Sequence, residues 1–239
     1  GYAVELQIPV DADTIKNGTT ITSLFVQDYS DAEGAKNPYI YGETGAVTFG
    51  AFEMPRANTG AITVDGEMDA FYNKGVVLDI SNDVAGNKDF VDVEDAPFGT
   101  AYLVYDSNNI YLYADITDAS DIECTDATQP WVSDNVEIWL GYTKDANHNN
   151  DATGYRVDRD GNVSNTYNTE LPEGVIGAAK DKEDGTGYTV ELQIPVDAET
   201  IEAGTTIDSL FVQDTNVGDD AVSPYIYGET GAVTFGAEC

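Results

Sequence analysis

The strongest constraint on what this chain can fold into is internal. Residues 1–53 align with residues 187–239 at a constant offset of 186, without a gap, and 38 of the 53 aligned positions are identical. Gly1-Tyr-Ala-Val-Glu-Leu-Gln-Ile-Pro9 returns as Gly187-Tyr-Thr-Val-Glu-Leu-Gln-Ile-Pro195, and Pro38–Gly50 returns unchanged at Pro224–Gly236. Most substitutions fall in 29–37 against 215–223, as a surface loop tolerates. A period of 186 is too long for a solenoid, whose units run to roughly 20–50 residues. It is the size of a whole β-sandwich domain. The expected organisation is 1–53 as the C-terminal third of one module, 54–60 as a link with the breakers Met54-Pro55 and Asn58-Thr-Gly60, and 61–239 as a complete module. Gly1 opens in mid-pattern, so the chain reads as a window on a longer one. Strands in 1–53 would carry bare edges unless a preceding stretch or a neighbouring copy completes them. Either way, the expectation is a head-to-tail array of like modules.

The rest of the pattern is strand-like, with alternating or compact apolar runs bounded by Gly, Asn and Asp. Expected strands in the complete module include 76–80, 101–105, 110–116, 136–142, 154–158, 175–179, 188–194, 209–213 and 232–235. Asp106-Ser-Asn-Asn109 and Asp160-Gly161 read as hairpin turns. One short helix is expected at Asp197–Ala203, capped by Asp197 and stopped by Gly204. The fold class is all-β: an antiparallel two-sheet sandwich of jelly-roll or immunoglobulin-like type.

Charge decides which partners are excluded. With 44 Asp plus Glu against 10 Lys plus Arg, the formal net charge is −34. Such a chain repels nucleic acid and anionic lipid, whose binding works by neutralising phosphate. It is nonetheless no disordered polyanion, because 41% of its residues are hydrophobic, 15 Tyr and 8 Phe among them. No apolar run reaches the roughly 18 residues of a membrane helix. Cys124 and Cys239 form no CxxC pair, and their pairing with each other stays open.

Several blocks resemble the family 9 carbohydrate-binding modules and the related DOMON-like sandwiches. They are Ile62-Thr-Val-Asp-Gly-Glu-Met-Asp-Ala-Phe71, Asp106-Ser-Asn-Asn-Ile-Tyr-Leu-Tyr-Ala-Asp-Ile-Thr-Asp118, Ser133-Asp-Asn-Val-Glu-Ile-Trp-Leu140 and Gly187–Pro195. The resemblance covers nearly all of 61–239, and 1–53 again. It implies a β-sandwich with structural calcium, a secreted or cell-surface setting, and binding of sugar-chain ends between two aromatic side chains. This sequence departs by placing Phe71-Tyr72 where an early tryptophan usually stands, and tyrosines around Pro224-Tyr225.

Three constellations are candidates for chemistry. Asp145, Asn147, Asn149 and Asp151 alternate along one loop, the spacing by which a loop curling round an ion presents oxygens to calcium. A solvated hairpin loop explains them equally. Asp158, Asp160 and Asn162 form a second such set, which an Asp-Gly hairpin also explains. Asp115, Asp118, Asp121 and Glu123, with Asp134 and Glu137, are acidic groups that the family resemblance brings near one another. Among aromatics, Glu137 and Trp139 oppose Val136, Ile138 and Leu140 across one strand. Tyr111, Tyr113 and Asp115 oppose Ile110, Leu112 and Ala114 across another. A sheet face of aromatics and acids could stack a pyranose and accept its hydroxyls, or lie covered by loops. Trp131, beside Pro130, is a further candidate. No nucleophile elbow, phosphate loop or zinc-protease motif is present, and His148 is the single histidine. The expectation is a non-catalytic carbohydrate-binding module, repeated in tandem; the alternative is a calcium-stabilised structural repeat of an extracellular filament, sheath or surface layer.

Overall fold

A computed structural model describes residues 52–80, 82–83, 98–118, 123–124, 129–141, 153–165, 170–207, 210–215, 225–230 and 232–238, together with the backbone of 20–21, 25–29, 39–43 and 47–48. The chain divides into two compact units, Gly1–Ala51 and Phe52–Cys239.

In the first unit, β1 (Thr20–Ile21) pairs antiparallel with β4 (Val47–Thr48), and β2 (Phe25–Tyr29) with β3 (Tyr39–Glu43).

The second unit is a sandwich built from β5 (Phe52–Arg56), β6 (Val76–Ile80), β7 (Asn82–Asp83), β8 (Phe98–Tyr105), β9 (Asn109–Thr117), β10 (Asn135–Leu140), β11 (Thr153–Asp158), β12 (Val163–Asn165), β13 (Ile176–Asp181), β14 (Gly187–Pro195), β15 (Thr206–Ile207), β16 (Leu210–Thr215), β17 (Tyr225–Glu229) and β18 (Val233–Glu238). One sheet runs β13-β14-β9-β8-β5-β18-β15, with β6 also on β8; the other runs β12-β11-β10-β16-β17-β7. The segment β6–β7 leaves the first sheet and joins the second, closing one side of the sandwich. Gly228 on β17 permits this, since a Cβ there would stand 2.5 Å from the Asp79 carbonyl oxygen.

Alternation fills the core. Ile110, Leu112, Ala114 and Ile116 of β9 face Val136 and Ile138 of β10, with Tyr188, Val190 and Leu192 beside them, all in one buried cluster. The Tyr105 hydroxyl, deep in this core, donates to the Gly236 carbonyl and so ties β8 to β18.

Two local expectations are corrected. The stretch read as a link, 54–60, begins inside β5, with Met54 fully buried and paired beside Phe235. Its alternation of Phe52, Met54 and Arg56 is a strand signal that Pro55 masks, Pro55 standing where no ladder donor is needed. The expected helix at 197–203 is a turn: Thr200 and Ile201 both donate to the Asp197 carbonyl, and the Gly204 amide is drawn off to Phe235. Seven residues tethered at one end cannot offset the cost of helix nucleation. The helical element among the described residues is instead a 3₁₀ turn at Ala70–Lys74.

Candidate functional site

The outer face of the six-stranded sheet is built from the side of β10 that looks away from the core. Glu137 stands opposite Arg156 of β11, and Arg156 opposite Ser164 of β12. Arg156 Nε donates to Glu137 Oε1 at 2.8 Å, its Nη2 reaches the same oxygen, and its Nη1 lies 3.4 Å from Ser164 Oγ. Trp139 Nε1 donates to Glu137 Oε2 at 3.1 Å. Glu137 and Arg156 are 4% and 3% exposed, so this is a desolvated ion pair whose carboxylate has donors on both oxygens.

Trp131 sits in the turn that leads into β10; the residue is 37% exposed and the Arg156 guanidinium lies 6.0 Å from its ring centroid. That turn is fixed at several points. Ser133 Oγ donates to the Pro130 carbonyl, the Val132 amide to Gln129, and the Arg159 amide to the Asp134 carbonyl. Arg159 then bridges Asp134 at 3.1 Å and Asp181 at 2.6 Å, with its guanidinium 5.1 Å from the Tyr188 ring centroid. Pro130, Arg156, Asp158, Asn162, Ser164 and Cys124 line a cavity of about 270 Å³ on this face. The combination offers an exposed indole edge, fixed guanidinium donors, and hydroxyl, amide and carboxylate groups around a small cleft. It suits a neutral polyhydroxylated ligand with an apolar face.

The other expected aromatic face is corrected. Tyr111 and Tyr113 do point away from the main core, but they are 4% and 5% exposed, in a second cluster with Ile62, Tyr72 and Val104. Segment 62–75 covers them. It is pinned by Glu191, whose Oε2 accepts the amides of Asp65 and Gly66 at 2.9 and 3.0 Å and whose Oε1 accepts the Tyr72 hydroxyl at 2.9 Å. Burial pushes the Glu191 carboxyl above the usual range and the Tyr72 phenol far up. Burial, then the charges of Asp106 and Asp115, pushes Tyr111 and Tyr113 each up to about 12. Trp139, 7% exposed, is likewise a wall rather than a stacking platform.

The expected metal ligands divide. Asp145, Asn147, Asn149, Asp151 and Asp121 lie outside the described residues. Asp158 caps its own hairpin: Oδ1 accepts the amides of Asp160 and Asn162 at 3.0 and 2.8 Å, and Oδ2 accepts Asn162 Nδ2 at 3.0 Å. Asp134 is paired with Arg159, and Asp115 with Lys182 at 2.5 Å. Asp118 is buried and Glu123 exposed. Among the described residues no three His, Cys, Asp or Glu side chains gather as a metal group. The one buried side-chain acceptor there without a partner is Asn135 Oδ1. Sequence reasoning passed over Arg156, which stands opposite Glu137 in the β10–β11 ladder.

Comparison with known proteins adds three findings. The family described as "Carbohydrate family 9 binding domain-like" matches residues 64–223. Exoglucanase XynX of Acetivibrio thermocellus is 25% identical over 228 residues, covering 87% of this chain and 19% of that protein. Endo-1,4-beta-xylanase A of Thermoanaerobacterium saccharolyticum is 23% identical over 228 residues, covering 87% and 18%. The chain thus spans under a fifth of the length of these curated relatives. Among solved structures, a family 9 carbohydrate-binding module from Caldicellulosiruptor kristjanssonii in complex with glucose superposes with a TM-score of 0.59 at 18% identity, covering 79% of this chain and 97% of that one. The complex of such a module with cellotriose gives 0.57, also at 18%, covering 78% and 95%. At these identities the likeness is one of fold.

Proposed function

The chain belongs to the carbohydrate family 9 binding domain-like family, and from that premise we propose that it holds a β-linked gluco-oligosaccharide at Trp131, over the cleft floored by Arg156. The observation that carries this reading is the half-exposed Trp131 ring beside a guanidinium locked by Glu137. The Caldicellulosiruptor kristjanssonii family 9 module structures hold cellotriose and glucose; the same class fits here. The role is attachment without catalysis, as one module of a longer secreted or cell-surface protein acting on plant polysaccharide. Calorimetric titration with cellotriose, xylotriose and glucose, and retention on insoluble cellulose and xylan, test it. Absence of heat with every saccharide and of retention on both polymers, in calcium-containing buffer, overturns it.

A second component of the reading is calcium. Asp115, Asp134 and Asp158 have protein donors, and the alternating oxygens of Asp145, Asn147, Asn149 and Asp151 are the proposed ligands, a hard-cation donor set. The calcium there would be structural. A third component is the tandem arrangement. The pairings Ile21–Val47 and Phe25–Glu43 recur 186 residues later as Ile207–Val233 and Phe211–Glu229, which supports like modules in series.

A further inference from the structure

Segment 62–75 covers Tyr111 and Tyr113 but leaves another part of the same sheet face open. A cleft of about 570 Å³ lies there, on the sheet opposite to the one that carries Arg156. Gly66, Glu67 and Met68 form one wall and residues 182–184 the other, over a floor of Tyr113 and Thr189. Both walls are braced. Glu191 holds the amides of Asp65 and Gly66, Glu67 accepts from Lys180, and Asp184 Oδ1 accepts the Thr186 amide and hydroxyl at 3.0 and 2.7 Å. The cleft is therefore preformed.

Register carries its floor across the sheet. Thr189 stands opposite Asp115, Asp115 opposite Thr100, and Thr100 opposite Asp79. All four point outward, by the alternation that puts Val190, Ala114, Ala101 and Leu78 in the core. Asp79 and Asp115 are exposed, Thr100 and Thr189 half-buried. Along β8, Tyr102 and Phe98 flank Thr100 on the same face. The Tyr102 ring centroid is 6.1 Å from that of Tyr113, so the row is continuous with the cleft. Phe98 is 55% exposed and Val77, opposite Tyr102, 49%. A polar row thus crosses four strands between apolar shoulders, and apolar side chains grouped in water beside organised polar groups mark a contact site.

Charge and spacing choose the occupant. Lys180 and Lys182 are already paired, with Glu67 and Asp115, while Asp79, Glu183 and Asp184 repel an anion. Carboxylates accept hydroxyl hydrogen bonds, and the hydroxyls of Thr100 and Tyr102 both donate and accept. Strands in a sheet lie about 4.8 Å apart, near the advance per ring of an extended β-linked glycan. From β14 to β6 is three such steps, about 14 Å.

We propose that this row is a second saccharide site, taking about three rings of a neutral β-linked glycan laid across β14, β9, β8 and β6. The hydroxyls of the glycan meet Thr189, Asp115, Thr100 and Asp79, and its apolar ring faces lie against Tyr102 and Phe98. The proposal rests on the saccharide reading above and adds a site on the opposite sheet. With sites on two sheets facing opposite ways, one module bridges neighbouring chains of a polymer.

The test titrates the full chain with cellohexaose and xylohexaose by calorimetry, with sedimentation velocity in parallel. Both substituted side chains are exposed, so Phe98→Ala with Asp79→Asn is expected to melt with the parent. Trp131→Ala should keep one site, tighter for hexasaccharides than for trisaccharides. Adding Phe98→Ala and Asp79→Asn to it should weaken that residual binding by roughly tenfold or more. Binding lost entirely in Trp131→Ala leaves the first site standing and overturns the second. A single site in the parent, untouched by Trp131→Ala and removed by Phe98→Ala with Asp79→Asn, supports the second and overturns the first. Residual binding indifferent to Phe98 and Asp79 overturns the proposal. So does a dimer that Phe98→Ala dissolves, which makes this face a contact between copies.

Discussion

Replacing Arg156 by Met isolates the chemistry of the candidate site. The substitution keeps an apolar stem of similar length and deletes the guanidinium that neutralises Glu137. Glu137 is 4% exposed and would keep the Trp139 Nε1 donor on Oε2 but lose the guanidinium. Breaking a buried ion pair from one side costs about 3–5 kcal/mol, since it strands the other charge. Removing both charges in Arg156→Met with Glu137→Met strands neither charge and takes from the Trp139 N–H its Glu137 acceptor, at about 1–3 kcal/mol. The double variant is therefore expected to be more stable than the Arg156→Met single variant by about 2 kcal/mol. For a unit of this size about 1 kcal/mol moves the melting temperature by roughly 2–4 °C. The single variant should then melt about 8–16 °C below the parent, and the double variant partway back. Urea unfolding followed by tryptophan fluorescence, with differential scanning calorimetry, measures both, and both variants should lose saccharide affinity. An Arg156→Met chain within about 1 kcal/mol of the parent, or two substitutions whose losses simply add, would refute the account of a desolvated pair.

Trp131→Ala should leave the melt within about 1 kcal/mol, as expected for a half-exposed side chain, while lowering cellotriose affinity by on the order of tenfold; undiminished affinity in calorimetry places the ligand elsewhere. Tyr111 and Tyr113, held at about 12 against about 10 when unfolded, contribute stability that is complete below pH 10 and lost as pH rises through 12, about 2–3 kcal/mol each. Tyr111→Phe and Tyr113→Phe should therefore flatten the fall in melting temperature across that window, and an unaltered slope contradicts their burial. Chelator should lower the melting temperature by several degrees and excess calcium restore it; a melt indifferent to both removes calcium from the proposal.

What the sequence made legible, and what it hid, follows from the range of the forces involved. The alternation in Ile110–Ile116 and Val136–Leu140 shows which side of each strand faces the core, because burial of one face imposes a period of two locally. It says nothing of whether the opposite face is bare. For Tyr111 and Tyr113 that answer lies in segment 62–75, clamped down by a carboxylate at position 191. The same alternation put Glu137 and Trp139 outside without showing that Arg156 on β11 would take up the carboxylate. Register across an intervening loop is a tertiary property, and no local pattern encodes it.

The cations sharpen the point. Arg156, Arg159, Lys180 and Lys182 each bind a carboxylate, from Glu137, Asp134 with Asp181, Glu67 and Asp115. In a chain of net charge −34, positive charge is scarce and is used to fix neighbouring strands and turns. Arg159 braces the turn carrying Trp131, and Arg156 lies against the ring. A buried arginine paired with an acidic strand position in a strongly acidic sandwich is thus a better pointer to its organised cleft than the abundant tyrosines, whose hydroxyls and rings are as readily used to seal a sheet face.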